Sequence, residues 1–279
     1  MSSTRIEDAF RRACELDVAV RKPGNVSDAS PGHGMTAAMF RASAAAAAPA
    51  RARPGARLGE RVEGAVAATW AAVNCNTNLG ILLLCAPLAM AAERLPAAPG
   101  PGALSLAVRE VLAGLDAADA AAVFRAIANA NPGGLGEARA QDVHRPPTVG
   151  LVAAMALAAE RDLIARQYRD GFADLWATGV PAVPAGLPPE NPAAVLAVFL
   201  AWLSAYPDSH IVRKHGAAVA QTVMQAAQGW RLRHDAGVHD DWAAWDRSLK
   251  GARINPGTSA DFTVATLMAS MLLHPRASA

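Results

Sequence analysis

The sequence repeats apolar residues at helical spacing almost throughout, and no segment alternates at period two as a half-buried strand would. Alanine and leucine dominate, and aromatic residues make up 5% of the chain. Stretches rich in proline and glycine separate the periodic segments, of which Val149–Trp176 is the longest. We therefore predict an all-α protein, a single globular multi-helix domain over residues 1–279. The apolar run Leu79–Ala92 is expected to be its buried central helix.

Charge and cysteine content exclude several classes of protein. A net charge of +2, on a chain that is 18% charged, argues against a general nucleic-acid-binding surface. Cys14, Cys75 and Cys85 are too few and too widely spaced for a disulfide framework or a zinc motif. The longest apolar run is too short to span a bilayer, and the charged N-terminal stretch has no signal-peptide core. We expect a cytoplasmic protein that binds neither nucleic acid nor membrane, and a homodimer is compatible with the sequence.

An amide-rich cluster, Asn74–Asn78, stands directly before the most apolar segment, in the stretch VNCNTNLGILL. Short amide and hydroxyl side chains favour turns and helix starts over helix interiors. Asn76, Thr77 or Asn78 is therefore expected to cap a helix that begins near Leu79. The N-terminus of that helix, including Gly80, would also suit an anion such as phosphate.

Polar residues also gather in the loop Arg21–Met35, which reads RKPGNVSDASPGHGM. Glycine permits close backbone approach to a ligand, and proline stiffens the loop that presents it. A lysine beside serine, asparagine and free backbone N–H groups could cradle a phosphate. An ordinary solvated loop is the alternative, and the loop taken alone favours it. The candidate residues here are Lys22, Gly24, Asn25, Ser27 and His33.

Two further polar clusters fall within helical patterns. Arg161 and Asp162 interrupt AAERDLIARQY, where a surface stripe of paired charges is the simpler interpretation. DSHIVRKHG starts another predicted helix, and its Arg213 and Lys214 could bind a polyphosphate. The alternative for this cluster is a helix turn capped by Asp208 or Ser209.

The segment NPGTSADF, Asn255–Phe262, is expected to be a proline-glycine turn with Thr258 or Ser259 as helix cap and Asp261 in the first turn. That placement is ordinary helix chemistry. It is also where a carboxylate could hold a magnesium ion beside bound phosphates.

Familiar nucleotide and hydrolase signatures are absent from the sequence. It contains no P-loop, no GxGxxG after a strand, no GxSxG and no HExxH. NPGGLG, at Asn131–Gly136, is glycine-rich but follows a helix, so it carries little weight as a phosphate loop. The pairs His234–Asp235 and His239–Asp240 keep a metal-dependent phosphohydrolase open as a rival, although a polar surface connection explains them more simply.

Taken in order, these motifs resemble the triphosphoribosyl-dephospho-CoA synthase family. The matching positions are Lys22, Pro23 and Gly24, then Asn76, Thr77 and Gly80, then Pro256, Gly257, Ala260 and Asp261. The resemblance implies an all-α fold and a transferase that uses ATP, with a ribose hydroxyl of dephospho-CoA displacing adenine. The family's His-Lys pair is Asn78-Leu79 here, so Arg213 or Lys214 would have to replace the missing cation.

The NTNLG form, with GGLGEARAQDV and RDLIARQY, is similar to a divergent branch found in archaea and in bacteria that oxidise one-carbon compounds. We therefore expect a cofactor-biosynthesis transferase with a different acceptor, in a methanopterin- or methanofuran-type pathway. The resemblance implies a magnesium-dependent reaction on ATP or a related phosphorylated donor. A non-catalytic assembly protein that keeps the fold is the other alternative.

The resemblance assigns provisional roles to the candidate residues. Asp162 and His33 are the catalytic candidates, because the reaction needs a group to take the acceptor's proton. Glu63 and Asp261 are the candidate magnesium ligands. The remaining candidates would bind substrate: Lys22, Gly24, Asn25, Ser27, Asn76, Thr77, Asn78, Gly80, Arg161, Arg213 and Lys214.

Overall fold

The structure is a computed structural model that describes residues 1–51, 53, 55–233 and 240–274. Within these ranges it is helical and contains no β-strand, which confirms the all-α prediction. The α-helices are α1 Ser3–Ala19, α2 Ala37–Arg51, α3 Leu58–Val73, α4 Leu79–Glu93, α5 Pro101–Ala113, α6 Ala117–Ala130, α7 Leu151–Ala156, α8 Leu163–Asp170, α9 Pro192–Ala205, α10 Ser209–His215, α11 Ala217–Arg231, α12 Asp240–Gly251 and α13 Gly257–Leu273. A π-helix, Leu175–Gly179, and a short 3₁₀-helix, Val180–Ala182, lie between α8 and α9.

Two helices run through the core. Twelve of the fifteen residues of α4 are buried, as predicted for the central apolar helix. The sequence did not single out α13, yet fifteen of its seventeen residues are buried as well. Helix α13 packs against α1, α4 and α9, so the starts of both buried helices meet inside the molecule. Both helices are apolar around most of their circumference, as expected of helices enclosed on all sides.

The predicted long helix Val149–Trp176 is wrong as a continuous element. Helix α7 stops at Ala156, and α8 begins only after Asp162, whose carboxylate accepts hydrogen bonds from the backbone N–H groups of Ile164 and Ala165. Gly171 then ends α8 in the left-handed conformation, at φ +65°. An aspartate at an N-cap satisfies donors that a continuous helix would bond internally, so it creates a helix start. This break places Arg161 and Asp162 in a turn.

Among the described residues, no single helix is long and apolar enough to cross a bilayer. The pair α9 and α10 reaches that length and hydropathy only when the two are taken together, across a bend of 52°.

Candidate functional site

A cavity of about 1060 Å³ opens where α4 and α13 begin. Its walls come from the loop between α1 and α2, the loop that follows α6, the turn before α8, and α10. Most of the sequence-predicted site residues line it: Asn25, His33, Asn76, Thr77, Asn78, Gly80, Arg161, Asp162, Arg213, Lys214 and Asp261. Four candidates do not, namely Lys22, Gly24, Ser27 and Glu63. Segments far apart in the sequence thus converge on one concavity.

The amide cluster ends one helix and starts the next, as predicted. Asn74 terminates α3 in the left-handed conformation, and its N–H donates to the carbonyl of Trp70. Asn76 Oδ1 accepts from the N–H of Leu79 at 3.1 Å, which satisfies one free donor of α4. Thr77 Oγ1 donates to Ser43 Oγ, and Asn78 bonds to Thr69. These bonds fix the start of α4, and they leave the Leu79 N–H already bonded rather than free for a phosphate.

Gly80 makes room for Asp261. A Cβ at position 80 would lie 2.0 Å from Asp261 Oδ2 and 2.8 Å from Ile164 Cδ1, so only glycine fits without displacement. The Asp261 carboxyl is partly exposed to the cavity and has no hydrogen-bond or ion-pair partner among the described residues. Burial, followed by the nearby carboxylates of Asp17 and Asp208, raises the pKa of Asp261 well above its usual range. A carboxyl group of this kind in a cleft is typical of a functional site.

The loop that contains Lys22 is anchored by α1 and α12. Lys22 is fully buried; its ammonium group donates to the Asp17 carbonyl and lies 3.0 Å from Asp17 Oδ1. The N–H of Gly24 donates to Asp246 Oδ1 at 2.9 Å, while Lys250 of the same helix bonds to Ser30. The prediction that Lys22 faces a phosphate therefore finds no support in its position. Lys22 holds Asp17, which does line the cavity.

Gly24 and Ser27 also lie behind the wall. Gly24 has φ +78°, and a Cβ there would lie 2.8 Å from Pro256 and 2.9 Å from the carbonyl oxygen of Ile254. Its role is close packing against the segment before α13, not contact with a ligand. The Ser27 side chain is buried, and the backbone of Ser27 pairs with that of Ser30. The part of the loop over residues 22–27 is thus buried, in contrast to the solvated loop that its composition alone favoured.

Two other loop residues do reach the cavity. His33 Nε2 lies 2.8 Å from the Gly24 carbonyl oxygen. Because a carbonyl only accepts, Nε2 donates, and the other ring nitrogen of neutral His33 is an acceptor. Burial lowers the pKa of His33, which favours the neutral ring. Asn25 donates to Asn255 Oδ1 at 3.1 Å, while its own side-chain oxygen is buried without a partner among the described residues.

Arg213 and Asp162 form an ion pair across the cavity wall. Arg213 Nη1 lies 2.9 Å from Asp162 Oδ2, while Asp162 Oδ1 caps α8. The pair joins two segments that are 51 residues apart. Both carboxylate oxygens of Asp162 therefore already accept hydrogen bonds. Asp162 is thus better suited to positioning Arg213 than to accepting a proton from a substrate.

Three cations in the lining have no carboxylate partner among the described residues. Lys214 and Arg139 make no side-chain hydrogen bond there, and Arg161 makes only one long bond of 3.4 Å to the Leu157 carbonyl. Uncompensated positive charge in a cleft raises the local concentration of anionic ligands. This arrangement favours a polyanion.

The prediction that Glu63 and Asp261 share a metal ion does not match the geometry. Glu63 lies outside the cavity, and its carboxylate is bonded to Arg125 through two oxygens at 2.6 and 2.8 Å. Helices α3 and α6 pack together, which brings these two side chains into contact. Across the part of the chain that the structure describes, no three histidine, cysteine or acidic side chains are arranged to hold a metal ion.

Sequence reasoning missed His210. This residue lines the cavity, and its Nε2 atom is buried without a partner within the described ranges. Burial, then the cations Lys214 and Arg213, lowers the pKa of His210 to about 3. Asp208 holds the helix start that carries it, with one oxygen bonded to the N–H of His210 and the other to Ser259. A cap at Asp208 was predictable from the sequence. That the His210 side chain lines the cavity was not.

The rival phosphohydrolase rests on His234, Asp235, His239 and Asp240. The first three lie outside the described residues, so the structure does not address this arrangement.

The chain is similar to known proteins over most of its length. Residues 3–278 match the family model described as ATP:dephospho-CoA triphosphoribosyl transferase. A crystal structure of a protein from Archaeoglobus fulgidus, assigned as a triphosphoribosyl-dephospho-CoA synthase, superposes with a TM-score of 0.67 at 24% sequence identity. The match covers 84% of this chain and 99% of that chain, and it shows the shared fold. No curated protein matches significantly. The family match spans nearly the whole chain, and the protein therefore belongs to the ATP:dephospho-CoA triphosphoribosyltransferase family.

Proposed function

We propose that the protein transfers a phosphorylated ribosyl group from ATP, or a related nucleotide, to a hydroxyl or amine acceptor in the cavity at the start of α4. Family membership supports transferase chemistry on nucleotide substrates. The observation that carries the proposal is that one cavity holds cations without carboxylate partners and the carboxyl of Asp261, which also has no partner among the described residues. Cations suit the phosphates of the donor, and a carboxylate beside them suits the reacting ribose or a phosphate-bound cation.

The size of the cavity supports two bound substrates. Pockets for single drug-sized ligands span roughly 300–1000 Å³. At about 1060 Å³ this cavity lies slightly above that range, large enough for a donor beside an acceptor. Direct transfer requires both molecules to be held together, with the attacking oxygen or nitrogen near the ribose C1′ atom.

The transfer makes one bond and breaks one. The acceptor's oxygen or nitrogen bonds to C1′, the bond from C1′ to adenine breaks, and the electron pair leaves with adenine. The acceptor must lose a proton, and we assign this to the ring nitrogen of His33 that does not bond to Gly24. Arg213, held by Asp162, would neutralise phosphate charge beside the reacting centre.

Magnesium fits this site as a companion of the nucleotide. Mg²⁺ keeps several waters and usually binds through one or two carboxylates plus substrate phosphates. Asp261, as a lining carboxyl group without a partner among the described side chains, fits as a single protein ligand, because the charge of a bound cation favours the ionised form against the raised pKa. The donor set around it does not fit a resident metal held by protein alone.

Two kinds of acceptor are candidates for the transfer. Dephospho-CoA is the acceptor that the family description names. A different acceptor, from a methanopterin- or methanofuran-type pathway, rests only on the resemblance of NTNLG and the neighbouring motifs to the divergent branch.

Calorimetry and an adenine-release assay test the proposal together. Wild-type protein is expected to bind ATP with magnesium and to release adenine when dephospho-CoA or another competent acceptor is added. Asp261→Asn and His33→Gln are expected to lower turnover by roughly 10²-fold or more while retaining ATP binding without magnesium. Glu110→Gln, an exposed carboxylate-to-amide change away from the cavity, is the matched control. Absence of ATP binding to the wild-type protein would overturn the proposal and favour the assembly-protein alternative.

A further inference from the structure

The glycine-rich loop after α6 forms one wall of the cavity. Residues 131–143 of this loop all belong to the lining. Its first part is a tight turn in which the N–H of Leu135 donates to the carbonyl of Pro132 at 3.2 Å. Gly134 occupies the turn with φ +79°, a conformation that glycine adopts without cost. Proline and glycine here build a defined turn whose backbone lies against the cavity.

Several backbone donors of this loop are unused. Within the described residues, the N–H groups of Gly133, Gly134, Gly136 and Glu137 donate to no protein acceptor, although neighbouring N–H groups at Leu135 and Ala138 are bonded. Successive free N–H groups around a left-handed glycine form a concave anion-binding arrangement. The loop therefore offers four N–H donors that no acceptor among the described residues occupies, with the Glu137 carboxylate beside them in the same lining.

Lys214 packs directly onto this turn. A Cβ at Gly133 would lie 2.8 Å from Lys214 Cε and 3.3 Å from Lys214 Nζ, so the lysine stem occupies the space that a side chain would need. The ammonium group has no carboxylate partner among the described residues. Glycine at 133 thus holds the positive charge beside the free N–H groups.

The turn also connects to the centre of the site. A Cβ at Gly134 would lie 3.1 Å from the Arg213 carbonyl oxygen, so the turn rests on the backbone of α10. Arg213 reaches Asp162 at 2.9 Å, and both residues act electrostatically on Asp261. The turn therefore contacts Arg213, which in turn acts on Asp261, the carboxyl group that we place beside the reacting ribose.

From these contacts we infer that the turn Pro132–Leu135 and Lys214 form the subsite for the terminal phosphates of a triphosphate, with its other end directed toward Asp261. The inference deepens the proposed function and rests on it. It reverses the low weight that the sequence gave NPGGLG: a helix precedes the loop, but the loop lines the cavity and several of its N–H groups have no acceptor among the described residues. An extended triphosphate would replace the water that otherwise solvates these N–H groups.

The test measures binding of sodium tripolyphosphate, ATP and adenosine by calorimetry, without magnesium. Gly133→Ala, which displaces the lysine, and Lys214→Gln, which removes its charge, are each expected to weaken tripolyphosphate and ATP about 10- to 100-fold and to leave adenosine unchanged. Gly102→Ala has open space around its Cβ, and Arg247→Gln removes an exposed charge elsewhere; both should bind as wild type. Thermal melts establish that every variant is folded.

The possible outcomes separate this inference from the proposed function. If ATP binds and both variants bind tripolyphosphate as tightly as wild type, the subsite is wrong and the transferase proposal stands. If wild type binds neither ATP nor tripolyphosphate, both fail. Weakened adenosine binding in the Lys214→Gln variant would also overturn the subsite, because it would show a general effect on the cavity.

Discussion

Two concave regions of this molecule are rich in arginine or lysine, and they differ in how many of these cations have carboxylate partners. The cavity at the start of α4 leaves Arg139, Arg161 and Lys214 without carboxylate partners within the described ranges. A second cavity of about 860 Å³, beside α1 and α2, is lined by Arg5, Arg11, Arg12 and Arg41 together with Asp8, Glu15 and Glu190.

In the second cavity two of the four lining arginines, Arg41 and Arg11, have carboxylate partners. Arg41 bonds to both oxygens of Glu15 and to both oxygens of Asp28. Arg11 lies 3.8 Å from Glu7, and Arg5 donates to a backbone carbonyl. The comparison teaches that the number of cations around a concavity is a poor guide to an anion site. The cations left without partners are the informative ones, because a ligand phosphate does not have to displace a carboxylate.

The largest expected effect concerns the buried ion pair beneath the first cavity. Lys22→Met should lower the free energy of unfolding by about 3–5 kcal/mol, because it leaves the buried Asp17 carboxylate uncompensated. Urea unfolding followed by circular dichroism measures this change. A loss below about 1 kcal/mol would show that Lys22 is not a structural anchor, and its role as a phosphate ligand would have to be reconsidered.

A second prediction tests the close approach of α4 to Asp261. Gly80→Ala should cost roughly 1–3 kcal/mol of stability, because the new methyl group would lie 2.0 Å from the Asp261 carboxylate oxygen. Turnover should fall as well, since the carboxyl must move. Gly102→Ala in α5, with nothing within 4 Å of the new methyl group, is the control and should be neutral or slightly stabilising. Equal behaviour of the two variants would contradict the packing described here.

A third prediction breaks or sharpens the comparison directly. Arg161→Gln in the first cavity should weaken ATP binding about 10-fold, because it removes a cation that has no carboxylate partner among the described residues. Arg12→Gln in the second cavity should leave ATP binding unchanged. Calorimetric titration of both variants decides the matter, and a larger loss for Arg12→Gln would move the nucleotide to the second cavity.

The smallest expected effect depends on pH. Hydrogen bonds from Arg41 lower the pKa of Glu15 and of Asp28 in the folded protein. Their stabilising contribution is therefore present above the unfolded carboxyl pKa of about 4, and it disappears as the pH falls through the lowered folded values. Arg41→Gln should be slightly less stable than wild type at pH 7, and the difference should vanish toward pH 2. A difference that grows on acidification would contradict this assignment.

Local chemistry in the sequence determined much of the fold. The start of α4 follows from apolar periodicity and from the polar residues before it, and the structure has it at Leu79, where the pattern places it. Capping by Asn76 and Asp208 was predictable for the same reason, because such bonds join residues two or three positions apart. The predicted helix Val149–Trp176 failed where Asp162 could act either as a helix-interior residue or as a cap, a choice that periodicity does not make.

Only the tertiary structure decided which polar groups became a site. Composition could not show that Lys22 pairs with Asp17, that Glu63 pairs with Arg125, or that Lys214 has no carboxylate partner within the described ranges. These outcomes depend on contacts between segments many positions apart, and side chains of the same type compete for the same partners. Helix caps and apolar stripes are short-range properties that a sequence contains within one or two turns. Charge pairing and cavity lining are set by the packing of whole helices, so they come into existence only when the chain is folded.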